Sequence, residues 1–155
     1  MLRIILTALA CSCLLGTAHA QTWSPPLEVP DYRGTGGGMG LYNSMAIVNG
    51  HPAIATLDEV HKMVRFMRAN DPQGSTWGTP VFVNLPAVDG TDLSLCVVNG
   101  RPAIAYQRVH GLDLMMVRAN DADGTTWGAP VLVDQAGDVG KAASMAVVNG
   151  NPAIT

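Results

Sequence analysis

The sequence predicts an all-β chain built from repeated four-stranded antiparallel units. Three observations predict it. A segment returns at a fixed spacing of 50 residues, each repeat divides into four short apolar runs separated by turn signals, and no helical spacing is sustained beyond the first 20 residues. Self-similarity at such a period is the mark of a repeat architecture.

The repeat reads Ser44-Met45-Ala46-Ile47-Val48-Asn49-Gly50-His51-Pro52-Ala53-Ile54. It returns as Ser94-Leu95-Cys96-Val97-Val98-Asn99-Gly100-Arg101-Pro102-Ala103-Ile104, and again as Ser144-Met145-Ala146-Val147-Val148-Asn149-Gly150-Asn151-Pro152-Ala153-Ile154. Between 44–93 and 94–143, 20 of 50 positions are identical, which points to duplication.

The leader comes first. Arg3 is a short positive start, 4–15 is an apolar run, and Ala18-His19-Ala20 is a small-residue cleavage pattern, so 1–20 is read as a signal peptide. Cys11 after Ala8-Leu9-Ala10 makes a lipoprotein signal the rival, but its apolar stretch would be very short and Ala8 fits poorly. The run falls well below the roughly 20 residues of a membrane span, and no later stretch is long enough. The expected location is secreted, periplasmic or extracellular. Beyond the leader the chain has the length of one ordinary domain. The formal net charge of −3, one unit more negative without Arg3, offers no basic patch and argues against nucleic acid as a partner. Cys11 and Cys13 leave with the leader. Cys96 then stands alone, in the place of Ala46 and Ala146, and reads as a small buried apolar residue.

Within the first unit, 45–49 is a run of β-formers that ends in Asn49-Gly50. Both central residues of a type I′ turn need positive φ, so this is a strong hairpin signal, repeated at Asn99-Gly100. Residues 52–57 form the return strand, with Pro52 at its start where no ladder donor is needed. A third strand covers 62–69 and a fourth 77–83. Met63, Met67, Met115 and Met116 lie in third strands and read as adaptable filler. A single four-stranded sheet cannot bury both faces. Radial stacking solves this, and the period suits the blades of a β-propeller, typically ~4–8 in a closed ring. A β-trefoil needs three full units, which this sequence does not have.

Strand counting sets the organisation. Trp23-Ser24-Pro25-Pro26-Leu27-Glu28-Val29 matches Trp77-Gly78-Thr79-Pro80-Val81-Phe82-Val83. Residues 21–43 therefore hold an orphan outer strand and a glycine-rich linker. Blade 1 is 44–93, blade 2 is 94–143, and 144–155 begins a third. About two and a half blades are expected, a fragment of a longer protein, with further blades from the same or another chain. The glycine-rich 34–40 lacks the Gly-Lys-Ser/Thr ending of a phosphate loop.

The connection between third and fourth strands reads Asn70-Asp71-Pro72-Gln73-Gly74-Ser75-Thr76-Trp77 and Asn120-Asp121-Ala122-Asp123-Gly124-Thr125-Thr126-Trp127. It resembles the Asp-box of sialidase-like (BNR-like) β-propellers, Ser-x-Asp-x-Gly-x-Thr-Trp. Gly74, Thr76, Trp77 and Gly124, Thr126, Trp127 match its spacing, and Asp71 and Asp121 stand one position early. The resemblance implies a structural hairpin far from any catalytic pocket. The residue types agree. Gly74 and Gly124 permit positive φ, Asp71 and Asp121 bond turn N–H groups, and Trp77 and Trp127 lock the outer strand.

Sialidases use an arginine triad, a tyrosine–glutamate nucleophile and an acidic acid/base, with an early Arg-Ile-Pro segment. This chain has no such segment. Arg68 and Arg118 recur beside the Asp-box and are expected to pair with Asp71, Asp121 or exposed carbonyls. No catalytic residue is assigned.

The Asn-Gly and Asp-box turns lie on one side of a meander and barely change between units, whereas the other two loops change strongly. A ligand face belongs on the changing side, because function concentrates on loops held by a rigid framework. Its candidates are Asp58, Glu59, His61, Asp89, Asp92, Arg108, His110 and Asp113. His61 near Asp58 and Glu59 suits a metal or a sugar hydroxyl, or is simply solvated. Asp121-Ala122-Asp123-Gly124 is faintly similar to a calcium loop, but Gln73 replaces Asp123 in the first unit, so no metal and no cofactor is expected. The functional expectation is a non-catalytic scaffold that binds carbohydrate or extracellular protein. The alternatives are the N-terminal part of a sialidase-like or other propeller glycoside hydrolase, or a purely structural repeat of a large surface protein.

Overall fold

Ten strands and no helix make up the part of the chain that the computed structural model describes, residues 42–58, 63–83, 92–108 and 110–155. The expected leader, the outer strand at 23–29 and the glycine-rich 34–40 lie outside these residues. Unit 1 contains β1 (Asn43–Val48), β2 (His51–Asp58), β3 (Met63–Arg68) and β4 (Val81–Val83). Unit 2 contains β5 (Leu93–Val98), β6 (Arg101–Arg108), β7 (Asp113–Arg118) and β8 (Val131–Asp134). A two-stranded sheet, β9 (Met145–Val148) and β10 (Asn151–Ile154), follows. In both four-stranded sheets spatial order equals chain order and every pairing is antiparallel.

The tight turns follow from residue type. Asn49, Asn99 and Asn149 have φ of 46°, 49° and 51°, each followed by a glycine at 73–78°. Two successive left-handed residues are what a type I′ hairpin requires, and Asn and Gly adopt that conformation at least cost.

The fourth strand is shorter than the expected 77–83. Trp77 makes only an isolated bridge to Ala69, and regular pairing resumes at Val81 opposite Phe66. The outer strand therefore spends one residue more than β3 over this stretch, a bulge. Pro80 has no N–H for the ladder, and the Gly78 N–H turns back to the Arg68 carbonyl at 2.9 Å. Unit 2 repeats the bulge between Trp127 and Val131 and adds a second register shift between Leu114 and Met115.

The two sheets pack through alternate residues. Ala53, Ala55, Leu57, Val64 and Phe66 of unit 1 share one buried cluster with Leu93, Leu95, Ile104, Tyr106, Met115 and Val117 of unit 2. The intervening residues Val98, Ala103 and Ala105 form a second cluster with Met145, joined by half-buried Cys96, Met116 and Ile154. This is the period-2 alternation of strands buried on both faces. Small residues on β2 lie in the same core as Ile104 and Tyr106 on β6, so small and large side chains interleave. Cys96, expected to be buried, is only half-buried because the sheet beyond it has two strands. The backbones are also stitched together. Ser44 Oγ accepts from the Leu95 N–H at 2.9 Å, and Ser94 Oγ accepts from the Met145 N–H at 2.8 Å.

Candidate functional site

The two rims of this stack differ in chemistry. One rim carries the Asn-Gly turns and the aspartate turns. Asp71 Oδ1 accepts from the N–H groups of Gln73 (3.0 Å) and Ser75 (2.9 Å), and Oδ2 from the Thr76 N–H (2.9 Å) and hydroxyl (3.1 Å). Asp121 repeats the set with Asp123, Thr125 and Thr126, and adds the Thr125 hydroxyl at 2.9 Å. Donors converging on a carboxylate favour its charged form. The Ser75 N–H, helped by Thr76 and Gln73 and opposed by some desolvation, lowers Asp71 to about 2. At Asp121 burial pushes upward, but the Thr125 and Thr126 donors together outweigh it and hold the carboxyl below its ordinary range. Trp127 Nε1 donates to the Gly124 carbonyl at 3.0 Å.

Of the partners expected for it, Arg68 takes backbone carbonyls and not Asp71. Its Nε donates to the Val48 carbonyl at 3.0 Å and its Nη2 to the Asn49 carbonyl at 3.3 Å, capping the β1–β2 hairpin. The same Nη2 lies 3.1 Å from Asp123 Oδ1, which also accepts from Asn49 Nδ2 at 2.8 Å. Asp123, which in the sequence resembled part of a calcium loop, is thus a tie between unit 2 and unit 1. Among the described residues no group of three His, Cys, Asp or Glu is placed to hold a metal.

The opposite rim holds the candidates chosen for their unit-to-unit variation. Asp58 is 2 % exposed and pairs with buried Arg65, whose guanidinium lies 5.0 Å from the Phe82 ring centre. Arg108 pairs with Asp113 directly across β6–β7. Aspartate at position 58 and arginine at 108 are sequence equivalents, so the ion pair at this rim reverses its polarity from one unit to the next. Asp92 Oδ2 accepts the Ala142 N–H at 2.8 Å. His110 is exposed. Glu59, His61 and Asp89 lie outside the described residues.

Two residues here were missed in the sequence. Gln107 Nε2 donates to Asp138 Oδ1 (2.9 Å) and to the Val139 carbonyl (2.7 Å), clamping the loop after β8 over β6. Asp138 also pairs with Lys141, and that cation, with Gln107, lowers its carboxyl. The available signal was a glutamine at the position where unit 1 has Leu57, a polar residue inside an apolar strand.

Between the sheets, an open cleft of about 540 Å³ runs along Val81, Phe82, Thr125, Trp127 and Pro130. No described helix is long and apolar enough to cross a membrane. Comparison with known proteins finds no matching family model, no similar curated protein and no similar solved structure.

Proposed function

We propose that this chain is a segment of a secreted β-propeller of the Asp-box kind, and that it binds rather than catalyses, with a carbohydrate or an extracellular protein as ligand of the changing rim. The observation that carries this reading is the asymmetry of the rims. The aspartate-turn rim repeats the hydrogen bonds of its carboxylates from unit to unit, while the other replaces Asp58–Arg65 by Arg108–Asp113 and Leu57 by the Gln107 clamp. A scaffold keeps what packing demands and varies what a ligand reads. Exposed His110, Asp138 and Lys141 are the polar groups such a ligand would meet.

A second reading, a purely structural repeat, is favoured by a different observation: Asp58, Asp92 and Asp113 are already engaged inside the fold. A glycan array and cross-linking in extracellular medium, run on the natural chain and on His110→Ala and Lys141→Ala, separate the two. Binding that weakens in these variants without a change in melting temperature supports the ligand rim. Silence across sugars and proteins leaves the structural repeat.

A further inference from the structure

The contact of the 121–127 turn with unit 1 defines a socket by its residues. The Asp123 carboxylate meets Arg68 and Asn49. Gly124 approaches so closely that a methyl group on it would lie 2.4 Å from the Phe66 ring. Trp127 meets the same ring edge-on. One repeat further on, unit 2 offers the same elements. Asn99 and Arg118, the equivalents of Asn49 and Arg68, are both exposed. Met116 stands for Phe66 and is half-buried, and Val131 is 56 % exposed. Arg101, Met116, Arg118 and Val131 line an open hollow of about 430 Å³. The inner part of this face is already covered, since Met145 and Ile154 of the β9–β10 sheet pack on Val98, Ala103 and Ala105.

The geometry points to this hollow as the docking surface for the aspartate turn of a further four-stranded unit, one that carries aspartate in the position of Asp123. Charge selects the occupant. Arg118 and Arg101 place two cations where unit 1 has Arg68 and His51, so an incoming carboxylate is favoured more strongly than at the observed contact. A second copy of this chain is the poorer fit. Its 121–127 turn is engaged with its own unit 1, and its 71–77 turn presents neutral Gln73. The inference rests on the observed packing of the two sheets, and it stands or falls independently of any ligand on the opposite rim.

The test lengthens the chain. Because β9–β10 corresponds to the first two strands of a unit, a duplicate of residues 106–143 placed after Thr155 supplies the other two strands and the aspartate turn between them. Met116→Cys, in a Cys96→Ala background, reports whether the hollow is covered. Thiol labelling at this position is expected to slow about tenfold or more in the lengthened chain, as for a site reached only by local opening. Arg118→Gln should restore much of the rate there and leave the unlengthened chain unchanged. A folded, lengthened chain that labels at the original rate overturns the inference. So does protection in the unlengthened chain that grows with concentration, which makes a second copy the occupant. If the lengthened chain does not fold, a cyclic peptide of residues 119–128 at millimolar concentration is added to the natural chain. A shift of the Met116 methyl resonance that Arg118→Gln abolishes supports the socket, and no shift overturns it.

Discussion

The rings of Phe66 and Trp127 meet edge to face, with centroids 5.2 Å apart and planes inclined by 67°. Phe66 belongs to the third strand of one unit and Trp127 to the outer segment of the next, so this pair joins the two sheets. Phe66 is 1 % exposed and Trp127 half-buried. Phe66→Ala should cost ~3–5 kcal/mol, as large-to-small changes in a core do, and Trp127→Ala rather less. The coupling between them should be ~1 kcal/mol. Urea unfolding of the two single variants and the double variant measures it. Strict additivity would show that the rings do not interact.

The two turn glycines should respond differently to alanine. Both have positive φ, at 73° for Gly74 and 76° for Gly124, and the added methyl costs ~1–2 kcal/mol for that reason alone. At Gly74 the methyl would meet a Pro52 ring carbon at an ordinary 3.6 Å. At Gly124 it would collide with Phe66, adding ~1–3 kcal/mol of overpacking. Thermal unfolding of Gly124→Ala and Gly74→Ala compares them. Equal losses would mean that the turn moves away from Phe66 without cost.

The aspartate turns should make stability fall in acid. The folded Asp71 carboxyl lies at about 2 against an ordinary 3.8, so its contribution is present above pH 4 and is lost as the pH falls toward 2. Asp121 shifts in the same direction and extends the loss. Melting temperatures of the natural chain and of the double variant Asp71→Asn/Asp121→Asn should differ most at pH 6 and draw steadily closer as the pH falls through 4 to 2, with part of the difference still present at pH 2. A constant difference across that range would assign the effect to something other than carboxylate charge.

The serine stitches should be worth more than a surface hydroxyl. Ser44→Ala leaves the Leu95 N–H without its acceptor, and Ser94→Ala does the same to Met145. Each should cost ~1–3 kcal/mol, the penalty of a buried donor left unpaired. Hydrogen exchange at those two amides reads the loss locally, and exchange unchanged in both variants would sink the claim.

Tyr106 should tolerate loss of its hydroxyl. The side chain is fully buried, and among the described residues its oxygen has no hydrogen-bond partner. Desolvation by burial, partly offset by Arg108, pushes the phenol up to about 12. Tyr106→Phe should therefore leave the melting temperature unchanged or raised. A clear drop would reveal a partner for the hydroxyl.

Much of this fold was legible. Asn49-Gly50 and its repeats announced the hairpins, because the turn needs left-handed residues. Asp71 and Asp121 announced their own turns, because every donor they bind lies within five residues. The outer strand was read too long, because a bulge at Thr79-Pro80 depends on how β3 ends. The rim pairs Asp58–Arg65 and Arg108–Asp113 were not foreseen, because they need the register of β2 on β3 and of β6 on β7, and the intervening loops hide it.

The amino-acid order alone decided the repeat, the strand alternation and the turns, since each rests on interactions between residues a few positions apart. Only the folded stack decided that Asp123 reaches back to Arg68, that Gly124 lies against Phe66 and that Arg118 faces outward. Those outcomes depend on how one sheet settles on the next, a matter of side-chain volume and charge brought together over some 50 residues of chain.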